Sequence, residues 1–469
     1  MELDGLLLAR VQMALTLAFH ILFPAFTIGL SAYIAVLLAL WLRTGRDVYE
    51  SLARFWTKVF AVSFAMGVVS GIVLSYQFGT NWSRFSVAVG NVVAPLIGYE
   101  VLTAFFLEAT FLGIMLFGWN RVPPRLILVA ASLVALGTAI SAFWILSANS
   151  WMHYPTGHEV RDGIAYPVDW LKVVFSPTFP LRFAHMLTAA YLTTAFVVVA
   201  TGARHLLAGR HVEAARIMVK MGVGMIAIVA PLQLVIGDHH GLDTAEYQPA
   251  KLAAMEGHWD GSKAAPLVLF GIPNAAAERN DYEVAIPNLG GLIIAHEWGG
   301  RYPGLKEFEP KDRPPVLMPF FAFRLMVGIG VVMIAAGLVG AWLMARRRLF
   351  EARWYLVWQS WMWPSGFLAI LAGWTVTEVG RQPWVVTGIL RTADATSPVV
   401  AESIAGTLAA FFVIYAVVFG IGIFYVNRLL VRGPTPGTTA AAEEPLTNRP
   451  IAAALPGGRD AIDAREGQP

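Results

Sequence analysis

The chain has 469 residues, of which 57% are hydrophobic and only 14% are charged. Soluble domains carry about 25% charged residues, so this composition excludes an ordinary soluble protein and predicts an integral membrane protein. A net charge of +3 is too small to indicate nucleic-acid binding. The absence of cysteine excludes disulfides, c-type haem attachment and thiolate-ligated metal sites within this chain.

Apolar runs long enough to cross a bilayer, which takes about 20 residues, occur nine times along the sequence. They lie at 8–41, 55–78, 92–118, 125–148, 179–204, 216–237, 316–345, 354–378 and 401–430. The N-terminus is acidic and lacks an Ala-x-Ala site, so we expect the first run to remain as a span rather than to be cleaved as a signal peptide. The predicted fold is an all-α membrane domain of about nine spans over residues 1–432.

Basic residues are concentrated at alternate ends of these runs. They are Arg43, Arg46, Arg54, Arg121, Arg125, Arg204, Arg210, Arg216, Lys220, Arg346, Arg347, Arg348, Arg353, Arg428 and Arg432. Because positively charged connections stay on the cytoplasmic side, this pattern predicts an external N-terminus and a cytoplasmic C-terminus. An odd number of spans agrees with that orientation.

Two polar segments are too long to be simple turns. Residues 238–315, between the sixth and seventh runs, form the largest insertion, and 149–178 form a second one on the same predicted external side. Segments of such length are usually functional or disordered, and the first retains many apolar and aromatic residues, so we expect it to be ordered at least in part. Residues 433–469, rich in Pro, Gly, Thr and Ala, are predicted to be a disordered cytoplasmic tail.

Ionisable residues inside membrane spans are expensive and therefore indicate function. The candidates are His20, Glu100, Glu108, His185, Arg324 and Glu378. Given a rise of about 1.5 Å per residue, Glu100, His185, Glu378 and also Met326 fall in the predicted outer half of the membrane. Their similar depth predicts one shared site.

Each candidate also has a purely structural interpretation. His20 can hydrogen-bond a neighbouring helix, His185 can be interfacial, and Met326 can be a core residue. Glu100 and Glu108 are separated by about 80° around a regular helix and can line a path for protons or water.

Glu378 and Arg381, three residues apart beside tryptophans, can form an interfacial ion pair. The remaining histidines of the external segments are expected at the surface; they are His153, His158, His239, His240, His258 and His296.

The combination of histidine, methionine and carboxylate favours a haem cofactor, because haem iron accepts such ligands. A haem-copper oxidase is disfavoured, since it needs several more histidines within the spans, and only His20 and His185 are well placed.

Several motifs, taken together in their order, resemble subunit I of the cytochrome bd-type quinol oxidases. They are Arg10-Val11-Gln12 leading to His20, Gly98-Tyr99-Glu100 with Glu108, Ser147-Ala148-Asn149-Ser150-Trp151-Met152, Arg182-Phe183-Ala184-His185, Phe323-Arg324-Leu325-Met326, and Gly373-Trp374 followed by Glu378 and Gly380-Arg381-Gln382-Pro383-Trp384. The resemblance covers nearly all of the spans and the external segment.

This resemblance implies a set of iron ligands. His185 and Met326 would be the axial ligands of a low-spin haem b558. His20 and Glu378 would serve two high-spin haems, b595 and d, with Glu100 beside that pair. Which of the two ligands holds which high-spin haem stays open.

The resemblance also implies roles around these ligands. We also assign Trp374 and Arg381 to cofactor binding. Because the candidates share a similar depth, Arg381 is a candidate partner for a haem propionate rather than for Glu378. Glu108 and Ser141 are expected on a proton route from the cytoplasm.

Residues 248–256 resemble the quinol-oxidation segment of the family, which implies that Lys251 and Glu256 take part. Quinol oxidation requires a base for protons and a donor that holds the head group, roles that Glu and Lys can fill. The alternative is an exposed amphipathic helix with a charge pair. The external loop is short, and residues 237–242 look more like the cyanide-insensitive branch, so the third haem can be d-type or b-type.

The resulting hypothesis is a terminal oxidase subunit in the bacterial inner membrane. It would oxidise quinol at the outer face, pass electrons through haem to a di-haem site that reduces O2 to water, and build a proton gradient without pumping. A subunit II is implied as partner, and a small single-span subunit is allowed. The alternatives are a proton-coupled transporter with an intramembrane Glu/His relay and a haem-binding subunit with a structural or signalling role.

Overall fold

A computed structural model describes residues 4–263, 265–297 and 300–435. This part of the chain is dominated by helices. They are α1 (Gly5–Thr44), α2 (Asp47–Thr80), α3 (Ser83–Glu100), α4 (Phe106–Phe117), α5 (Pro124–His153), α6 (Trp170–Val174), α7 (Phe179–Leu207), α8 (Val212–Tyr247), α9 (Pro249–Glu256), α10 (Leu289–Ala295), α11 (Leu317–Ala345), α12 (Arg353–Trp361), α13 (Ser365–Val379) and α14 (Ala401–Arg432).

Short antiparallel strand pairs lie in the connections between the helices. The strands are β1 (His158–Arg161), β2 (Ile164–Pro167), β3 (Ser262–Lys263), β4 (Leu267–Asn274), β5 (Arg279–Ile286), β6 (Arg301–Tyr302), β7 (Trp384–Val386) and β8 (Leu390–Arg391). They pair as β1–β2, β3–β6, β4–β5 and β7–β8.

Within the described residues, eight helices are long and apolar enough to cross a membrane. They are α1, α2, the joined helix Ser83–Phe117, α5, α7, α8, α11 and α14. The prediction of an all-α membrane protein is confirmed. The predicted eighth span, 354–378, is instead split into α12 and α13 at residues 362–364, where Pro364 lacks the N–H needed to continue the helix.

The helices at the centre of the bundle approach closely through small residues. A β-carbon placed on Gly222 of α8 would lie 2.3 Å from Val199 Cγ2 of α7, so only glycine fits there. Thr194 of α7 donates a hydrogen bond of 2.7 Å to the carbonyl of Phe26 on α1. Small residues and interhelical hydrogen bonds of this kind stabilise helix packing in membranes.

Two predicted boundaries differ from the structure because the helices extend beyond the ends of the apolar runs. Helix α8 continues to Tyr247, so residues 238–247 of the predicted external loop are helical. Helix α5 likewise continues to His153. The predicted tail, 433–469, lies outside the described residues beyond Thr435.

Candidate functional site

His20 on α1 faces a glycine on α2. Its Nδ1 lies 3.2 Å from the hydroxyl of Ser70. A β-carbon on Gly71 would lie 3.0 Å from Cε1 of the ring. The serine therefore orients the ring, as hydrogen-bond partners do for metal-binding histidines, and the absence of a side chain on Gly71 lets the ring pack closely against α2.

His185 on α7 has the same kind of surroundings on α8. Its Nε2 lies 3.2 Å from the amide nitrogen of Gln233, and a β-carbon on Gly237 would lie 3.2 Å from Cε1. The ring of His240 packs 5.5 Å away, centroid to centroid. Among the described residues, His185 Nδ1 is buried without a hydrogen-bond partner, which is costly unless another group completes the site.

Met326 on α11 directs its sulfur at α13. A β-carbon on Gly373 would lie 2.9 Å from Met326 Sδ, and Trp374 is the next residue of α13. Three of the four predicted ligands, His20, His185 and Met326, thus pack against a glycine of a neighbouring helix. Glycine lets the neighbouring backbone approach these side chains closely, and histidine and methionine are donors that haem iron accepts, so the donor set fits a haem.

Glu378, near the end of α13, is the centre of a buried polar network. Asn149 Nδ2 donates a hydrogen bond of 3.0 Å to Glu378 Oε1, and Arg182 donates to Oδ1 of Asn149. The guanidinium of Arg381 forms an ion pair with Glu378 Oε2. The expectation that Arg381 would not pair with Glu378 is therefore wrong, because the spacing of three residues brings the two charges together.

His153 connects this network to the segment after α8. The Nε2 of His153 lies 3.7 Å from Glu378 Oε1, and Gln248 Nε2 lies 3.1 Å from His153 Nδ1. Lys251 Nζ donates to Gln248 Oε1 at 3.1 Å, while its stem would meet a β-carbon on Gly380 at 2.9 Å. The predicted surface location of His153 is wrong, since its exposure is 0%.

The charges of this network are unbalanced. Arg182, Lys251 and Arg381 are all buried, whereas Glu378 is the one carboxylate that the described contacts bring among them. Burial, followed by the charge of Arg182, lowers the pKa of Lys251 well below its ordinary value. Arg381 Nε is buried without a hydrogen-bond partner among the described residues. Because buried charges need partners, the network has capacity for an additional anion.

Glu256 belongs to a second buried cluster, at the start of α11. Arg324 donates to the carbonyls of Met255 at 2.9 Å and Glu256 at 3.2 Å, and its guanidinium lies 3.8 Å from the Glu256 carboxylate. Burial raises the pKa of Glu256 to about 7, with Arg324 opposing the shift. Lys251 and Glu256 are both buried and have separate partners, so the alternative of an exposed helix with a charge pair is wrong.

Glu100 and Glu108 face the same side of α5. Ser141 donates a hydrogen bond of 2.7 Å to Glu100 Oε1, and a β-carbon on Gly137, one turn away, would lie 2.8 Å from Glu108 Cγ. The π-helical segment Val101–Phe105 separates the two acids. A single π turn inserts about one extra residue, which reduces the separation from about 80° to about 20°. The angle expected from a regular helix is therefore wrong.

No group of three or more His, Asp or Glu residues that would hold a bare metal ion occurs within residues 4–263, 265–297 and 300–435. The candidate ligands lie on different helices, α1, α7, α11 and α13. Haem iron takes only one or two ligands from the protein because the porphyrin supplies the others, so this dispersed arrangement suits haem.

Comparison with known proteins gives matches over most of the chain. The family model described as cytochrome bd terminal oxidase subunit I matches residues 8–434. The cytochrome bd ubiquinol oxidase subunit 1 of Bacillus subtilis (strain 168) is 36% identical over 443 residues, covering 92% of this chain and 94% of that protein.

A second relative and a solved structure are also cytochrome bd oxidases. The cytochrome bd-II ubiquinol oxidase subunit 1 of Escherichia coli (strain K12) is 32% identical, covering 92% of this chain and 97% of that protein. The structure of bd oxidase from Geobacillus thermodenitrificans matches with a TM-score of 0.86 and 31% identity, covering 92% of this chain and 99% of that one.

Proposed function

The chain belongs to the cytochrome bd terminal oxidase subunit I family, and from that premise we propose how its own residues serve quinol oxidation and oxygen reduction. It is a multi-pass protein of the bacterial inner membrane and a subunit of a quinol:oxygen oxidoreductase. The family contains haem and uses quinol, and membership as subunit I implies a partner subunit II. A small single-span subunit stays a prediction.

His185 and Met326 would hold the low-spin haem b558. His20 and Glu378 would hold the high-spin haems b595 and d, or a b-type haem in place of d, with the assignment between them open. When bound, the haems carry single electrons and supply the iron at which oxygen is reduced. The protein contributes the ligand side chains, of which His20, His185 and Met326 are packed against Gly71, Gly237 and Gly373.

The excess of buried positive charge would be compensated by haem propionates. Arg381 has a buried Nε without a partner among the described residues, and Arg182 and Lys251 lie in the same network. A guanidinium can bind one carboxylate through one edge and a second through its remaining donors. Arg381 would thus pair with Glu378 and with a propionate at the same time.

Glu256 would act as the base that accepts a quinol proton. A carboxylate with a pKa of about 7 can take up and release protons near neutral pH. Lys251, held by Gln248, would donate a hydrogen bond to an oxygen of the head group. Both residues lie within the segment 248–256, which the positive-inside rule predicts to be on the outer face.

Glu108 and Ser141 would bring protons from the cytoplasmic side to Glu100. The hydrogen bond from Ser141 to Glu100 and the shared orientation of the two acids toward α5 support this route. If quinol protons leave on the outer side and the protons for water enter from the inner side, charge is separated without a pump.

The single observation that carries this proposal is the buried series of contacts from Lys251 through Gln248 and His153 to Glu378. It connects Lys251 with Glu378, which supports electron transfer from quinol bound near Lys251 to haem held by Glu378. No contact described above favours a proton-coupled transporter, and a subunit with only a structural role does not need this connection.

The test is purification of the complex with subunit II, followed by a pyridine-haemochrome assay, a reduced-minus-oxidised spectrum and oxygen uptake with quinol. We expect b-type haem, a further haem whose type the assay identifies, and quinol-dependent oxygen consumption. A preparation that contains the intact complex but no haem would disprove the proposal. Haem without quinol-dependent oxygen uptake would reduce it to a haem-binding role.

A further inference from the structure

The hairpin formed by β4 and β5 carries apolar side chains on its outward face. Phe270 pairs with Val284 across the two strands, and Leu267 pairs with Ile286. Phe270, Val284 and Ile286 are 49%, 56% and 41% exposed. Because directly opposed residues of an antiparallel pair project to the same face, these side chains form one apolar surface.

The opposite face of the same hairpin is apolar as well. Val268, which pairs with Ala285, is buried in a cluster with Trp259 and Phe320. Strands that face water on one side alternate apolar and polar residues, whereas strands covered on both faces are apolar throughout. The base of this hairpin has the composition of a structure that is covered on both faces.

The polarity of the hairpin changes along its length. Its tip is polar and internally bonded: Asn274 donates to Asp281 at 2.9 Å, and Arg279 forms an ion pair with Asp281 at 3.0 Å. Between tip and base lies Tyr282, which is 80% exposed. Apart from Glu283, which is exposed and accepts a hydrogen bond of 2.7 Å from Asn280, the order from charged to aromatic to aliphatic matches the gradient across a membrane–water interface.

The base of the hairpin lies against the beginning of a membrane-spanning helix. Arg324 Nε, about two turns into α11, donates to the carbonyl of Val268 at 3.1 Å. The ring of Phe270 lies 6.4 Å from that of Phe321, centroid to centroid. The exposed apolar residues on the same part of α11 are Leu317, Met318, Phe321 and Leu325. The outward face of the hairpin therefore continues an exposed surface of α11.

We propose that the base of the β4–β5 hairpin rests in the interfacial layer of the lipid bilayer beside α11, with its tip in water. Lipid is the occupant that this surface fits, because the face formed by Leu267, Phe270, Val284 and Ile286 is apolar at the level of a spanning helix and the tip of the hairpin is polar. The hairpin would then secure the 238–315 segment at the membrane surface. This inference depends on the fold alone and holds whatever haems the complex contains.

The cysteine-free sequence allows a direct test. Val284→Cys and Phe270→Cys are each labelled with a nitroxide in the complete oxidised complex, reconstituted in phosphatidylethanolamine–phosphatidylglycerol nanodiscs. Arg279→Cys at the tip is the matched aqueous control, and Leu338→Cys, 55% exposed on α11, is the reference for lipid. The complex with the unaltered chain, treated in the same way, corrects for labels on a partner subunit.

We expect the labels at 284 and 270 to be several-fold more accessible to oxygen than to a water-soluble nickel chelate, as at 338, with the reverse order at 279. Nickel-chelate access at 284 and 270 equal to that at 279 would show a face in water and overturn the proposal. Protection from both reagents would show a protein partner there and would overturn it equally. The two positions report independently, so failure of one variant to assemble leaves the other decisive.

Discussion

The imidazole of His153 lies between Gln248 and Glu378, 3.1 Å from the amide nitrogen of one and 3.7 Å from the carboxylate of the other. His153 is the last residue of α5, Gln248 precedes α9, and Glu378 is near the end of α13. One buried side chain thus joins three elements that are far apart in the sequence. Replacing its side chain removes these two contacts while the side chains of Lys251 and Glu378 are unaltered.

We predict that His153→Leu lowers quinol-dependent oxygen uptake by about tenfold. The substitution removes the contact of the imidazole with the Gln248 amide and its contact with the Glu378 carboxylate. Gln248 keeps its hydrogen bond to the backbone carbonyl of residue 153, and Glu378 keeps Asn149 and Arg381, so the change interrupts the connection while its two ends stay bonded. His153→Gln, which restores a polar partner, should retain most of the activity. His239→Leu is the control, because that side chain is 57% exposed. Equal activity of the His153→Leu and unaltered complexes would contradict the proposed role, provided that haem content is the same.

The proposed role of Glu256 as a base predicts that the rate of quinol oxidation depends on pH. Its pKa is raised to about 7 by burial, so the base form increases as the pH rises through 7. The rate of quinol oxidation should therefore rise across this interval, and Glu256→Gln should remove that limb of the profile while lowering the rate. An unchanged profile in Glu256→Gln would exclude this residue as the base.

Stability should change with pH in the opposite direction to activity. Because the folded protein binds this proton more tightly than the unfolded chain does, the contribution of Glu256 to stability is complete below its ordinary pKa. That contribution is lost as the pH rises through about 7. Thermal unfolding of the complex at pH 5, 6, 7 and 8, compared with Glu256→Gln, measures this difference; a variant with the same pH trend as the unaltered complex would refute it.

A side chain at position 373 should clash with Met326. A β-carbon at this position would lie 2.9 Å from Met326 Sδ, closer than two such atoms can pack, so Gly373→Ala should displace the sulfur. We expect the low-spin haem band of the reduced-minus-oxidised spectrum to weaken or shift, as it should in Met326→Leu. Gly328→Ala on α11 is the matched control, because its β-carbon would meet no atom within 4 Å. A normal low-spin band in Gly373→Ala would argue against Met326 as the ligand.

The sequence was sufficient to predict eight of the nine expected membrane spans, because each of these is a long apolar run that forms one helix, whereas the run 354–378 is divided. The costly residues within the runs, such as His20 and Glu378, were visible for the same reason. It did not reveal that His153 is buried, because α5 continues into polar residues after its apolar run ends. Pro364 was a readable signal for the break between α12 and α13.

The hydrogen-bond partners of the candidate residues were harder to predict from the sequence. Asn149 and Arg182 appear within recognisable motifs, but no periodicity indicates that they meet Glu378. Gln248 is joined to His153 only by the tertiary fold. The π-helical segment Val101–Phe105 has an ordinary apolar sequence, so the shared orientation of the two acids around it was equally hidden.

A substitution of Glu108 can distinguish a role in proton transfer from a purely structural role. The residue is only 6% exposed, and its Oε1 has no hydrogen-bond partner among the described residues. An acid kept for stability would have a partner, and replacing an unpaired buried polar group by an apolar one of similar size is nearly neutral or stabilising. We therefore predict that Glu108→Leu leaves the unfolding temperature unchanged or raises it, while oxygen reduction falls by at least about tenfold, as expected when a positioned proton carrier is lost. Glu402→Gln in the exposed first turn of α14 is the control for loss of an acid. Oxygen uptake and thermal unfolding of the same preparations provide the measurement, and full oxygen reduction in Glu108→Leu would remove this residue from the route.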